Sequence, residues 1–286
     1  MNILVTGGAG FIGTNLITRL MAEGHTVTSI DDYSTGTYEN HLEGVKYRHS
    51  SVSSLKLDKN DTFDIIFHLA ALSRIQPSFT DPSTTFVSNV HGTQNILEQA
   101  RLNKIKVVYA GSSSKWHDPY QSPYAMFKYL GEEVCKMYKQ TNGCNVEIAR
   151  FYNVYGPNEI VDGDMAALLG IWRNQIAEGK DLTIVGDGEQ RRDFTHVTDI
   201  VDGLYRIAMS EESHTDAWEL GTGKNFSINE VYNFFKERFP EIEKQYLPDQ
   251  KGNYRVTIQK NTDAQDRLDW KPLDRLKKYI TKYIVI

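Results

Sequence analysis

Short apolar runs and segments of helical period alternate along the first half of the chain. The run NILVT at residues 2–6 reads as a buried strand, and NLITRLMAEGH reads as a helix closed by Gly24. A second strand follows over residues 25–30, then VKYRH, then a strand over residues 65–69 in DIIFHLAA. A helix is expected from about residue 82 to 103, a strand at KIKVVYA, a helix from Ser122-Pro123 and a strand in CNVEIARFYN. Continuous apolar strands separated by helix-length segments predict a parallel sheet covered on both faces. The expected fold class is α/β, with a doubly wound parallel sheet.

After Asn153 this rhythm breaks. YGPNEIVDGD is rich in turn residues, MAALLGIWRNQIAEGK reads as a helix, and DLTIVGDGEQRRDFTHV as a strand and a loop carrying a charge cluster. VTDIVDGLYRIAM is again helical, and AWELGTG is a strand ending in glycines. Residues 223 onward mix short helices with irregular segments. The C-terminal PLDRLKKYITKYIVI carries apolar residues at 273, 276, 280, 283 and 284, a helical stripe expected to pack on the domain. These breaks predict residues 1–155 and about 194–222 as a dinucleotide-binding domain. Residues 156–193 and 223–286 are expected to form a smaller, interwoven α/β lobe for the substrate.

Composition narrows the function classes. A net charge of -5 argues against a nucleic-acid surface, which needs a basic excess on one face. Two cysteines, Cys135 and Cys144, cannot make a disulfide framework or a four-thiolate metal site, and no metal-ligand spacing occurs. No apolar run approaches the roughly 18 residues of a membrane span, and no basic leader precedes the first strand. No metal, nucleic-acid or membrane partner is expected, and a reduced, cytoplasmic setting is.

The first candidate chemistry lies between the first strand and helix. Gly7, Gly8, Gly10 and Gly13 fall where a chain must turn tightly and let its backbone approach a pyrophosphate, with a helix N-terminus behind it. The second strand ends at Asp31, eighteen residues after Gly13. An acid there accepts hydrogen bonds from both ribose hydroxyls of an adenosine and repels a 2′-phosphate, so NAD is favoured over NADP. Ala70 and Ala71, at the end of the fourth strand, are small enough for a cofactor to approach, or serve close helix packing. Asn89 falls mid-helix, where asparagine is a poor former. A bond to the cofactor or to a loop backbone would explain it, as would a solvated surface position.

The second candidate lies at residues 110–128. KIKVVYA delivers Ser112, Ser113 and Ser114 to a strand end, and Tyr124 and Lys128 then sit one helical turn apart on one face. A chain with 16 tyrosines holds about one Tyr-x-x-x-Lys pair by chance. A second pair, Tyr232 and Lys236, follows no serine-ended strand and is read as structural.

Eight blocks in order carry a resemblance: TGGAGFIG, DDYSTG, HLAA, NVHGTQN, the serine cluster, SPYAMFKYLGEE, ARFYNVYGP and GDGEQRRDFTHVTDIVDG. The chain resembles the extended short-chain dehydrogenase/reductases, in particular the NAD-dependent nucleotide-sugar epimerases and dehydratases of the UDP-glucose 4-epimerase type, with a Rossmann sheet. The resemblance implies that Gly7, Gly10 and Gly13, with Phe11 and Ile12, cradle the NAD pyrophosphate. It assigns the adenosine half to Asp31, Asp32, Ser34, Thr35, Gly36, Ser51 and Val52. The remainder of the cofactor falls to Leu69, Ala70, Ala71, Asn89 and Tyr152, with Lys128 on the nicotinamide ribose. Tyr124 is implied as the acid/base, assisted by Ser112, and a cationic neighbourhood of Lys128 and nicotinamide would lower its pKa from ~10. Ser73, Ser113, Ser114, Asn153, Arg192 and Arg255 are implied substrate contacts. Arg192 suits a diphosphate through its planar fork, or alternatively forms an ion pair with Asp187, Glu189 or Asp193. The implied substrate is a nucleotide-diphosphate sugar, UDP-linked.

In similar dehydratases an Asp-Glu pair follows the catalytic Ser/Thr, and decarboxylases carry a glutamate two positions on. Here those positions are Ser113 and Ser114, so 4-epimerisation through a transient 4-keto sugar is the preferred reading. Dehydration, decarboxylation, one-way keto-sugar reduction and a regulatory NAD-binding protein remain alternatives. The chain departs from the family in a short segment between residues 112 and 124, in Lys115-Trp116-His117, in Ser51, and in Gln250 and Asn253. Lys115 is a candidate partner for an anionic sugar substituent such as a uronic carboxylate. A homodimer is expected through the helix at 82–103 and the Tyr124 helix, with Tyr129, Met137 and Tyr138 contributing apolar surface.

Overall fold

The computed structural model describes every residue from Met1 to Ile286. Six strands come in the first half: β1 (Asn2–Thr6), β2 (Thr26–Asp31), β3 (Lys46–His49), β4 (Ile65–His68), β5 (Lys106–Ser112) and β6 (Val146–Phe151). Then follow β7 (Asn153–Tyr155), β8 (Leu182–Val185), β9 (Arg191–His196), β10 (Trp218–Leu220), β11 (Asn225–Ser227) and β12 (Lys244–Leu247). Seven of them form one sheet in the order β10-β6-β5-β4-β1-β2-β3, parallel at every pairing. The order reverses between β4 and β1, which opens a crevice at the carboxyl ends of the strands. The doubly wound parallel sheet expected from the apolar runs is present.

Helices α1 (Phe11–Ala22), α2 (Ile75–Thr80), α3 (Pro82–Phe86), α4 (Gly92–Asn103) and α5 (Pro123–Asn142) belong to the first half. They are followed by α6 (Leu168–Ala177), α7 (Val197–Met209), α8 (Ile228–Arg238), α9 (Asp263–Leu268) and α10 (Leu276–Lys278). One apolar core joins β1 and β4 to α1 and α7 through Leu16, Ile17, Ile200 and Leu204. A second joins the other face to α4 and α5 through Ile96, Leu97, Cys135 and Tyr138. A third core lies away from the large sheet. Trp172 of α6, Ile184 of β8 and Phe235 of α8 build it, and the C-terminal stripe closes it with Leu276, Ile280 and Ile284. Leu273 and Tyr283 of that stripe face outward. No helix is long and apolar enough to cross a membrane.

Three local expectations need revision. The helix expected at 82–103 is interrupted by a π-helical turn, Val87–His91, where Asn89 turns aside and clasps the backbone of Leu72 through both N–H and C=O. Residues 191–196 form a strand instead of a charged loop. β9 is flanked by β7 and β11, and the buried Asp193 accepts from Thr222 N, Gly223 N and Gln259 N, so its carboxylate is satisfied inside the lobe. Tyr138 belongs to the second core and bonds Glu98, so it offers no outer surface, whereas Phe86, Val87 and Met137 do.

A buried ion cluster ties the sheet to α5. Arg150 of β6 is fully shielded and bonds Glu132 of α5 (2.8 Å), Asp216 (2.6 Å) and, more weakly, Glu219 of β10 (3.4 Å). Burial works against the Asp216 carboxylate, but Arg150 and Lys136 overcome it and hold its pKa at about 2. Removing the cation strands the carboxylates in a low-dielectric site. Arg150→Ala is expected to lower the unfolding free energy by about 3–5 kcal/mol, read as a shift of the urea midpoint; a change within ~0.5 kcal/mol would show that the cluster does not hold the fold.

Candidate active site

A cleft of about 720 Å³ opens along the carboxyl ends of β1, β2, β4 and β5 and continues onto the lobe residues Arg192, Asn253 and Tyr254. At the glycine loop the backbone runs very close to its neighbours. Gly7 has φ +72, and a Cβ there would meet Ala70 N at 2.9 Å; a Cβ on Gly13 would meet Gly7 O at 2.1 Å. The loop therefore lies flat against β4 and against the start of α1, whose N-terminus has no side-chain cap. Its free N–H groups suit an anion. Asp31 ends β2 with Oδ2 accepting from Ala9 N and Oδ1 from Tyr33 N, both at 2.9 Å. Burial raises its pKa, and those two backbone bonds counter the rise. A flat glycine loop, a free helix N-terminus and a fixed carboxylate are the parts a dinucleotide needs, so these residues fit NAD.

Ser112 closes β5, and its Oγ lies 3.1 Å from the Tyr124 hydroxyl. It also accepts from Ser114 N at 3.2 Å, which folds the serine cluster into a short 3-10 turn, Ser113–Trp116. Helix α5 starts where a Ser-Pro pair predicts: Ser122 Oγ accepts from Ala125 N at 3.1 Å and Pro123 takes the first helical position. Ser78 Oγ of α2 accepts from Tyr124 N at 3.0 Å and fixes the entry of the tyrosine. Lys128 shares the helix face of Tyr124 but reaches down to the sheet, donating to Ala110 O at 2.5 Å and Tyr109 Oη at 3.1 Å. Burial lowers its pKa to about 8, against the opposing pull of Glu132. The Tyr124 pKa is raised by burial, while the Ser112 hydrogen bond and the Arg74 guanidinium act to lower it. Of the cations expected to lower it, Lys128 is not among the groups acting on Tyr124, and its ammonium is held by Ala110 and Tyr109.

The cleft gathers Gly7, Gly10, Phe11, Ile12 and Gly13, with Asp31, Asp32, Ser34, Thr35 and Val52. It also gathers Leu69, Ala70, Ala71 and Tyr152, and the expected substrate contacts Ser73, Ser113, Ser114, Asn153 and Arg192. Four expected residues are not part of this lining. Gly36 packs on Ala9 and Asp31, Ser51 bonds Ser53, Asn89 holds Leu72, and Arg255 forms an exposed pair with Asp187. Lys115 also turns away, pairing with Glu133 at 2.5 Å over the ring of Tyr129. Arg192 has no carboxylate partner; it donates to Arg191 O and to Asn253 Oδ1. Three charged cleft residues escaped sequence reasoning: Arg74, Glu159 and the exposed Asp164. Arg74 follows β4 on a loop, and Glu159 is a buried carboxyl beside Arg173 whose pKa burial pushes up to about 7. Neither lies in a block with a recognisable pattern. Tyr232 and Lys236 both donate to Ile242 O, a structural tie as expected.

A doubly wound sheet with a glycine loop at its switch point and a Ser–Tyr–Lys set at the next strand end defines a dinucleotide-dependent α/β class. Within it, the chain belongs to the NAD dependent epimerase/dehydratase family, whose model matches residues 3–221. It is 32% identical to a UDP-glucose 4-epimerase of Mycolicibacterium smegmatis over 99% of this chain and 97% of that one. It is 30% identical to UDP-glucuronic acid decarboxylase 2 of Arabidopsis thaliana over 97% of this chain and 66% of that protein. A structure of UDP-glucuronic acid 4-epimerase from Bacillus cereus, in complex with UDP-glucuronic acid and NAD, superposes with a TM-score of 0.89. It is 25% identical, and the match covers 98% of this chain and 96% of that one. The relatives thus include more than one reaction on UDP-sugars.

Lys128 generates a pH prediction. In the unfolded chain its ammonium holds its proton to about pH 10.5, whereas the folded protein releases it near pH 8. Between these values the unfolded chain binds more protons, so this group makes stability rise with pH. The stability of the wild type relative to Lys128→Met is expected to increase from about pH 8 to about 10.5, measured by urea unfolding of the protein without ligand. A difference that is flat across this window would refute the burial effect.

Proposed function

We propose that the protein is an NAD-dependent UDP-sugar 4-epimerase with Tyr124 as acid/base. The observation that carries this reading is the 3.1 Å contact between Ser112 Oγ and the Tyr124 hydroxyl inside the cleft. Bound NAD supplies a hydride acceptor that oxidises the sugar at C4 and gives the hydride back. Tyr124 takes the proton of the C4 hydroxyl and returns it, and Ser112 hydrogen-bonds the same oxygen to fix its geometry. Lys128, anchored on Ala110 O, presents its ammonium to the cofactor ribose, and Asp31 takes the adenosine ribose. Arg192, which has no protein carboxylate, binds the diphosphate beside Asn153, and the lobe of residues 156–193 and 223–286 encloses the sugar nucleotide. Exposed Phe86, Val87 and Met137 form part of a homodimer contact.

Epimerisation is favoured over elimination because Ser113 and Ser114 provide no carboxyl group next to Ser112. Similarity to an epimerase extends over nearly the whole chain, as does similarity to a decarboxylase, so the choice rests on Ser113 and Ser114.

Incubation with a panel of UDP-sugars, followed by NMR for inversion at C4 and by mass for loss of water or carbon dioxide, separates the reactions. Epimers of unchanged mass and no net NADH consumption are expected. Tyr124→Phe is expected to reduce kcat by about 10²–10⁴ with NAD binding and melting temperature retained. Unchanged turnover would remove Tyr124 from the chemistry, and loss of carbon dioxide would overturn the epimerase reading.

A further inference from the structure

We propose that Arg74 reads the sugar, binding a carboxylate carried on the hexose close to the carbon under attack, so that UDP-uronic acids are preferred over neutral UDP-hexoses. This rests on the UDP-sugar reading above and deepens it. Arg74 lines the cleft on the loop between β4 and α2. Its guanidinium donates from Nε to Met165 O at 2.8 Å and from one terminal nitrogen to Ser73 O at 3.2 Å. Both partners are neutral carbonyls, and no carboxylate stands within ion-pairing distance; Glu159, whose field reaches it, meets Arg173 through one oxygen at 3.3 Å. The second terminal nitrogen has no protein partner among its hydrogen bonds.

A half-buried guanidinium left without a counter-ion carries an uncompensated desolvation cost, and burial does push its pKa down. Proteins keep such a group where a ligand completes the pair. The other cleft cations have assignments of their own: Lys128 is held by Ala110 and Tyr109, and Arg192 faces Asn253 in the lobe. Arg74 is distinguished by its place, since it leads directly into α2, whose Ser78 Oγ accepts from Tyr124 N at 3.0 Å, and both side chains line the same cleft. A substituent it binds is therefore near the oxidised carbon, not at the diphosphate. Its position is fixed on both sides. Ser78 holds Tyr124 N, and Gln76 donates to Lys251 O at 2.9 Å, so the loop is pinned to α5 and to the lobe. A planar fork held in this way suits a carboxylate bound through two oxygens. Lys115, the other cation considered for this task, is engaged with Glu133 outside the cleft.

The test is calorimetric binding of UDP-glucuronic acid and UDP-glucose to the NAD-loaded protein, with NMR of the products, for wild type, Arg74→Gln and Arg74→Lys. Wild type is expected to bind the acidic sugar about 10–100-fold more tightly, the scale of one charge-assisted hydrogen-bonded pair. Arg74→Gln should erase this preference in affinity, losing far more for UDP-glucuronic acid than for UDP-glucose, and Arg74→Lys should restore part of it. Should Arg74→Gln melt early, the Lys variant and the wild-type preference carry the comparison. Equal wild-type affinity for the two sugars, or an equal loss for both in Arg74→Gln, would assign Arg74 to holding Met165 and overturn the inference. A preference for the acidic sugar without any C4 epimer would leave Arg74 in its role and instead reject the epimerase reading.

Discussion

Arg150 holds together the parts that must not move. One guanidinium, shielded from solvent, reaches from β6 to Glu132 on α5, to Asp216 ahead of β10 and to Glu219 within it. Glu132 passes the constraint on by accepting from Ser112 N at 3.3 Å. Glu219 extends it by accepting from Trp116 Nε1 at 2.7 Å, from Tyr152 Oη at 2.5 Å and from Lys260 N at 2.6 Å. The strand end with Ser112, the turn after it and the helix with Tyr124 and Lys128 are thus referred to one buried charge. A buried ion pair adds little net stability over an apolar substitute, but it specifies geometry by penalising every arrangement that leaves a charge alone. Here the specified geometry is a 3.1 Å oxygen–oxygen contact between the end of β5 and the first turn of α5.

The opposite side of the cleft is governed by close approach, not by charge. The glycine loop can lie on Ala70 and Gly8 only because no side chain intervenes. Behind it, Thr6 Oγ1, His68 and Thr93 form a buried chain with contacts of 2.8 and 3.1 Å. Burial lowers the His68 pKa to about 3, aided by the positive field of Lys128, so the imidazole is neutral and a pure hydrogen-bond relay. It fixes the end of β4 next to the loop without bringing another charge to a site whose ligand is anionic.

What could be read from the sequence follows from the range of the forces involved. The strand–glycine–helix unit, the Ser-Pro start of α5 and the i,i+4 pairing of Tyr124 with Lys128 are local, and the residues that cause them lie within a few positions. Arg74, Glu159 and the whole Arg150 cluster depend on pairings across 14 to 91 residues, such as Arg173 with Glu159 and Arg74 with Met165. A charge seen in sequence is only a candidate until its counter-charge is known. Lys115 and Arg255 looked available because Glu133 and Asp187 could not be assigned to them, and both are consumed outside the cleft. β9 was hidden for the same reason, since Asp193 is tolerable in a strand only with donors from residues 222, 223 and 259.

These commitments explain how the site divides its positive charge. Burial alone disfavours ionising Tyr124, so a phenolate there needs compensating charge or hydrogen bonds. Ser112 supplies a hydrogen bond at 3.1 Å, and Arg74 supplies the nearest guanidinium field. Lys128 is tied by its ammonium to Ala110 O and Tyr109. A cation that contacted the phenol directly would pull the proton off permanently and weaken it as an acid in the return step. Holding one cation on a backbone carbonyl and the other on Met165 O leaves the phenol tunable by what binds beside it. That arrangement suits the role proposed for Tyr124, which takes a proton and gives it back in a single turnover.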